Sequence, residues 1–153
     1  FTQAQIQGEE GRKIKKFFDA SYPRGEYYHL DKPIQGAAAY VSKLKAAGAR
    51  IVYLSERSGD FRAQTLAVLG TAGFPEGDLE LQLRSGSVSK WKTSVAERLS
   101  TEGTLVAAFD NEPRVVNALK AALRTGRVVR LDTLATPGSP ALGAGVEVVS
   151  DFR

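Results

Sequence analysis

The chain of 153 residues has no cysteine, no methionine and a single histidine. Without cysteine, disulfides and thiolate metal sites are excluded. One histidine, His29, rules out a histidine-ligated metal cluster and leaves a lone acid or base, or an exposed loop residue. No apolar run approaches the roughly 20 residues that cross a bilayer, and the amino end carries no signal-peptide hydrophobic stretch. The expectation is a soluble, cytoplasmic protein without a membrane partner. Because the sequence starts at Phe1 and holds no methionine, the natural start is expected upstream.

The residues that are present suit one globular domain. The composition is 42% hydrophobic, enough to bury a core at this length. A net charge of +4, from 21 basic and 17 acidic residues, is a mild excess compatible with anionic ligands. Lys13, Lys15 and Lys16 form the densest basic run, which reads as a solvated helix face. No cluster of Arg, Lys and aromatic residues offers a nucleic-acid platform, so no nucleic-acid partner is expected.

Hydrophobic spacing alternates helices with short strands. Ile6, Ile14, Phe17 and Phe18 predict a helix over about 4–20, and Ser21-Tyr22-Pro23-Arg24-Gly25 and Leu30-Asp31-Lys32-Pro33 break the pattern around a loop or turn at 26–29. A helix follows over 36–47, ended by Gly48, and then a strand over 51–54. Phe61, Thr65, Leu66 and Leu69 mark the next helix. Leu79, Leu81 and Leu83 alternate with polar residues as a half-exposed edge strand does. Beyond them come a helix over 88–99, a strand over 105–109, a helix from Pro113 to about Leu123, and strands at 128–131 and 146–149. The Pro- and Gly-rich stretch 136–145 reads as loop. Strands separated by helices predict right-handed crossovers and a largely parallel sheet.

In such a sheet ligands bind at the carboxyl ends of the strands, which directs attention to two turns. Ser55-Glu56-Arg57-Ser58-Gly59 follows an apolar strand, where a hydroxyl and free N–H groups can hold a phosphoryl oxygen; serine and glycine are equally ordinary in loops. Asp110-Asn111-Glu112 follows another strand and offers hard oxygen ligands for magnesium, while Asp110 or Asn111 could equally cap the helix that starts at Pro113. Lys92, or its rival Lys90, could offset phosphate charge or simply lie on the surface beside Trp91. Tyr22, Tyr27 and Tyr28 could pack on the core or line a substrate entrance.

In order, Ile51-Val52-Tyr53-Leu54-Ser55-Glu56-Arg57, Trp91-Lys92 and Phe109-Asp110-Asn111-Glu112-Pro113 resemble the second, third and fourth motifs of the haloacid dehalogenase superfamily. The resemblance covers roughly 31–132. It implies a Rossmann-like, doubly wound α/β sheet with helices on both faces, in a single domain over 1–153. Residues 1–35 would be a helical and loop segment, the remnant of a small cap, and 36–153 the core. It further implies magnesium-dependent hydrolysis of a small phosphorylated substrate through an aspartyl-phosphate.

Under that resemblance Ser55 and Lys92 are catalytic and bind phosphate together with Glu56, which stands where many members have glycine and would narrow the site. Asp110 holds magnesium, and Asn111 or Glu112 is a further metal ligand or orients a metal-bound water or Lys92. The family's first motif, an apolar strand ending in Asp-x-Asp that supplies the nucleophile, is absent from the sequence. It is expected in an upstream segment, as the central strand between those bearing Ser55 and Asp110. A rival places 146–151 there, with Asp151 at the site. The alternative function is a non-catalytic module of this type that binds phosphate, metal or a protein partner. The oligomeric state cannot be read from the sequence.

Overall fold

Every strand pair is parallel in the computed structural model, which describes residues 8–82, 86–123 and 126–153. The protein is therefore an α/β protein, with its described strands in two small sheets. The chain divides into two compact units, Glu10–Arg84 with Asp151–Arg153, and Ser85–Ser150 with Phe1–Glu9.

The first unit contains helix α1 (Glu9–Ser21, its first residue assigned to the other unit), helix α2 (Ala37–Ala46), strand β1 (Val52–Ser55), helix α3 (Arg62–Thr71) and strand β2 (Asp78–Leu81). One 3-10 turn, Tyr22–Arg24, precedes the stretch 26–29 read as loop or turn, and a second, Tyr28–Leu30, begins within it. The predicted strand, 51–54, lies one residue ahead of β1; Ile51 flanks it, and its carbonyl accepts from the Asp78 N–H at 2.9 Å where the pairing with β2 begins. Leu79 and Leu81 are buried and Glu80 is half-buried, the alternation that marks β2; Leu83 lies outside the described residues. Residues 4–7 of the first predicted helix also lie outside them.

Gly36 precedes α2 at φ 79°, and a Cβ there would lie 2.8 Å from the Phe152 carbonyl oxygen. The carboxyl-terminal residues of the chain thus pack at the start of α2, where the Phe152 N–H donates to the Gln35 carbonyl at 3.0 Å and its ring lies 4.9 Å from that of Tyr40. A side chain at position 36 would push this contact apart.

The second unit contains α4 (Val88–Glu102), β3 (Ala107–Asp110), α5 (Pro113–Ala122), β4 (Arg127–Leu131) and β5 (Glu147–Val149), with sheet order β3-β4-β5. Ala96 of α4, Val115, Val116 and Leu119 of α5, Leu123 and Val128 form its core. Neighbouring residues of a strand face opposite ways. Val128 and Val129 are both 1% exposed, so β4 is covered on both faces. β5 pairs with β4, on the side away from β3, so the stretch 146–151 does not take the central place considered for it.

The connection from β4 to β5 carries no helix. It lies instead against α5, held by side chains from that helix and its cap. Arg114 donates to the Gly138 carbonyl at 2.8 Å, and Asn117 donates to the Ala141 carbonyl and accepts from the Gly143 N–H, both at 2.8 Å. Among the described residues no helix is long and apolar enough to cross a membrane.

Candidate functional site

Asp110 is the last residue of β3 and is 8% exposed. Its Oδ2 accepts from Lys92 Nζ at 2.6 Å, and its Oδ1 accepts from the backbone N–H of Glu112 at 2.9 Å. The second bond closes the turn into α5, where Glu112 is the cap and Pro113 the first helical residue, a position that needs no N–H. Lys92 reaches Asp110 from the second turn of α4 with its side chain 14% exposed, whereas Lys90 is exposed. A cation and a carboxylate, both largely withdrawn from water, therefore meet at the carboxyl end of a parallel strand.

The neighbours of Asp110 are committed elsewhere. Glu112 turns its carboxylate to the β4–β5 connection, accepting from Ser139 Oγ at 2.5 Å and the Thr136 N–H at 3.3 Å. Partial burial pushes the Glu112 pKa up, but hydrogen bonds from Ser139, Thr136 and the Arg114 backbone outweigh it and hold the group below the ordinary glutamate value. Asn111 is exposed, and its carbonyl accepts from Arg130 at 3.4 Å. Arg130, opposite Asp110 in the β3–β4 register, also donates to Asp132 and to the Thr133 carbonyl, each at 2.8 Å. It pins the turn after β3, a role that the sequence pattern did not signal.

Among the described residues no three His, Cys, Asp or Glu side chains gather as a cation cage. Asp110 nevertheless has the donor chemistry magnesium prefers, since that ion is commonly held by one or two carboxylates together with substrate phosphate and water.

In the first unit, Ser55 ends β1 and is half-buried. Its carbonyl accepts from the Gln82 N–H at 3.1 Å, and its Oγ accepts from the Arg57 N–H at 3.3 Å. Glu56 is exposed. Arg57 is only 7% exposed, and its guanidinium lies 3.9 Å over the Tyr28 ring while donating to Asp31 Oδ2 and, at 3.4 Å, to Thr65 Oγ1. Sequence reasoning quoted Arg57 only as part of a motif, and its anchoring role is new; the one signal was an arginine two residues past a strand-end hydroxyl.

The tyrosines divide. Tyr28 is buried, with its hydroxyl donating to the Tyr22 carbonyl at 2.7 Å and its ring edge-on to Tyr22 and Phe61. Tyr22 is half-buried, and Tyr27 is exposed against Phe17. Burial, aided by the nearby Glu56 and Tyr28 and opposed by Arg57, pushes the Tyr22 pKa up to about 12. His29 is exposed and lines, with Asp31, Pro33 and one side of α3, an open groove of about 400 Å³.

No protein-family model, curated protein or solved structure matches this chain.

Proposed function

We propose that this chain belongs to a magnesium-dependent phosphatase of the haloacid dehalogenase type, acting on a small phosphomonoester, with a doubly wound Rossmann-like core. The observation that carries the reading is the Lys92–Asp110 pair, 14% and 8% exposed, at the carboxyl end of β3. In an open parallel sheet that end is where ligands bind, and taking even a paired cation and carboxylate out of water there carries a desolvation cost that apolar packing would avoid. Two parallel crossovers, β1–α3–β2 and β3–α5–β4, support the same architecture. Each begins at a strand whose last residue, Ser55 or Asp110, is polar.

In this reading Lys92 offsets the charge of the phosphoryl group and Asp110 is a ligand of magnesium, which when bound polarises the phosphoryl group and neutralises its oxygens. The resemblance gives Ser55, at the end of β1 in the first unit, the part of a hydroxyl donor to a phosphoryl oxygen. The Glu112 N–H fixes the rotamer of Asp110, and the Glu112 carboxylate holds the adjoining loop. The reading requires a nucleophilic aspartate, a part that none of the residues named above plays, which would take the phosphoryl group as the alcohol leaves and pass it to water. The protein would act in the cytoplasm.

The test is hydrolysis of p-nitrophenyl phosphate by the full gene product, with magnesium or with a chelator. Magnesium-dependent turnover, lost in both Asp110→Asn and Lys92→Met, supports the reading. Turnover that is absent, or indifferent to both changes, refutes it. One observation favours a second reading, a non-catalytic module that binds phosphate, metal or a protein: both Asp110 oxygens are already engaged. Phosphate binding without turnover would select it.

A further inference from the structure

Among the described residues Arg57 is the one buried basic residue, 7% exposed. It is clamped on three sides, by the Tyr28 ring at 3.9 Å, by the Asp31 carboxylate and by Thr65 Oγ1 at 3.4 Å. These partners come from the turn at Tyr28–Leu30, the segment just after it, and α3. The guanidinium thus ties three stretches of chain to the turn that leaves β1.

The same residue touches Ser55 through its backbone, donating its N–H to Ser55 Oγ at 3.3 Å. A serine hydroxyl has two acceptor sites and one proton. When one acceptor site is filled from within the turn, the proton points elsewhere, toward whatever acceptor arrives. That contact is long and weak in itself, so it persists only if the turn is held by something stronger. The side chain of Arg57 supplies the hold.

We propose that Arg57 is a positioning residue whose clamped side chain fixes the β1–α3 turn and thereby aims the Ser55 hydroxyl outward as a donor to an anion. The anion is the phosphoryl group if the function proposed above is correct. Lysine cannot substitute, because it lacks the planar fork that stacks on Tyr28 while donating to Asp31 and Thr65. Asp31 is the replaceable member, its side chain being 60% exposed.

The experiment combines amide hydrogen exchange with kinetics on the full gene product, using Arg57→Ala, Arg57→Lys, Ser55→Ala and the Arg57→Lys/Ser55→Ala pair. Expected are faster exchange at 55–58 in both Arg57 variants and a KM for p-nitrophenyl phosphate raised about tenfold, the scale of one lost hydrogen bond to a charged group. Arg57→Lys should add nothing once Ser55 is alanine. Unchanged exchange at 55–58, or an Arg57→Lys effect on KM as large without the Ser55 hydroxyl as with it, would overturn the proposal. An inactive wild-type protein refutes the phosphatase reading; the role of Arg57 then stands if inorganic phosphate binding weakens in Arg57→Lys and in Ser55→Ala but no further in the pair, and falls if binding does not depend on Ser55. Should Arg57→Ala fail to fold, Arg57→Lys carries both measurements.

Discussion

Replacing Lys92 with methionine removes a charge and keeps most of the packed stem. Asp110 is then left 8% exposed at a rigid strand end, with only the Glu112 N–H at 2.9 Å as a partner. Removing one member of a buried ion pair costs about 3–5 kcal/mol. The surviving hydrogen bond argues for the lower end, near 3 kcal/mol, or a fall in Tm of roughly 6–12 °C for a chain of this size. The reciprocal change, Asp110→Asn, should cost less, because a lysine can swing its ammonium toward water on a flexible stem and asparagine keeps an oxygen for the Glu112 N–H. The double variant leaves no lone charge and should recover to within about 1 kcal/mol of wild type. Urea and thermal unfolding of all four proteins at low and high salt measures this, and the coupling should resist screening since the pair is buried. Additive losses, or a Lys92→Met effect no larger than that of an exposed substitution, would show that the two groups are not joined as described.

Three further outcomes are expected. The Glu112 pKa is lowered from 4.5 in the folded chain, so its contribution is complete above the unfolded value and is lost as pH falls through the folded one; Glu112→Gln should flatten the acid limb of a Tm–pH profile. Tyr22 shows the opposite sign: with a folded pKa of about 12 against 10.0, it contributes fully below 10 and loses that contribution as pH rises toward 12, so Tyr22→Phe should remove part of the alkaline loss, read by unfolding alongside the ultraviolet phenolate signal. Gly126 has φ 89°, and a Cβ there would lie 2.4 Å from the Leu105 carbonyl oxygen, so Gly126→Ala should cost at least about 1–2 kcal/mol, measured by urea unfolding.

The elements of the fold were legible where burial sets a period. The strands over 51–54, 105–109, 128–131 and 146–149 correspond to β1, β3, β4 and β5, shifted by at most two residues at either end, because β-branched and apolar runs bounded by turns have few alternatives. Helix α4 runs three residues past the predicted Leu99, to Glu102; the polar tail Ser100-Thr101-Glu102 hides its continuation, which is held by Ser100 and Thr101 hydroxyls donating to carbonyls within the helix. Strand ends were equally readable, and Lys92 and Asp110 come together across 18 residues of sequence. What spacing could not convey was the partner choice of long side chains. Arg57 meets Asp31 across 26 residues and Glu112 meets Ser139 across 27. Neither pair follows a helical or strand period, so only the folded chain reveals them.

The β4–β5 connection has a consequence for how this chain tolerates change. Its path is dictated by side chains at 112, 114 and 117, while it answers mostly with carbonyl and amide groups that any residue possesses. The instructions for an irregular stretch are thus stored in a neighbouring helix. Drift along 134–142 should be restrained at Thr136 and Ser139, whose side chains Glu112 uses, and at Gly138, whose φ of 76° disfavours a side chain, whereas a single exchange at 117 should release two anchors at once.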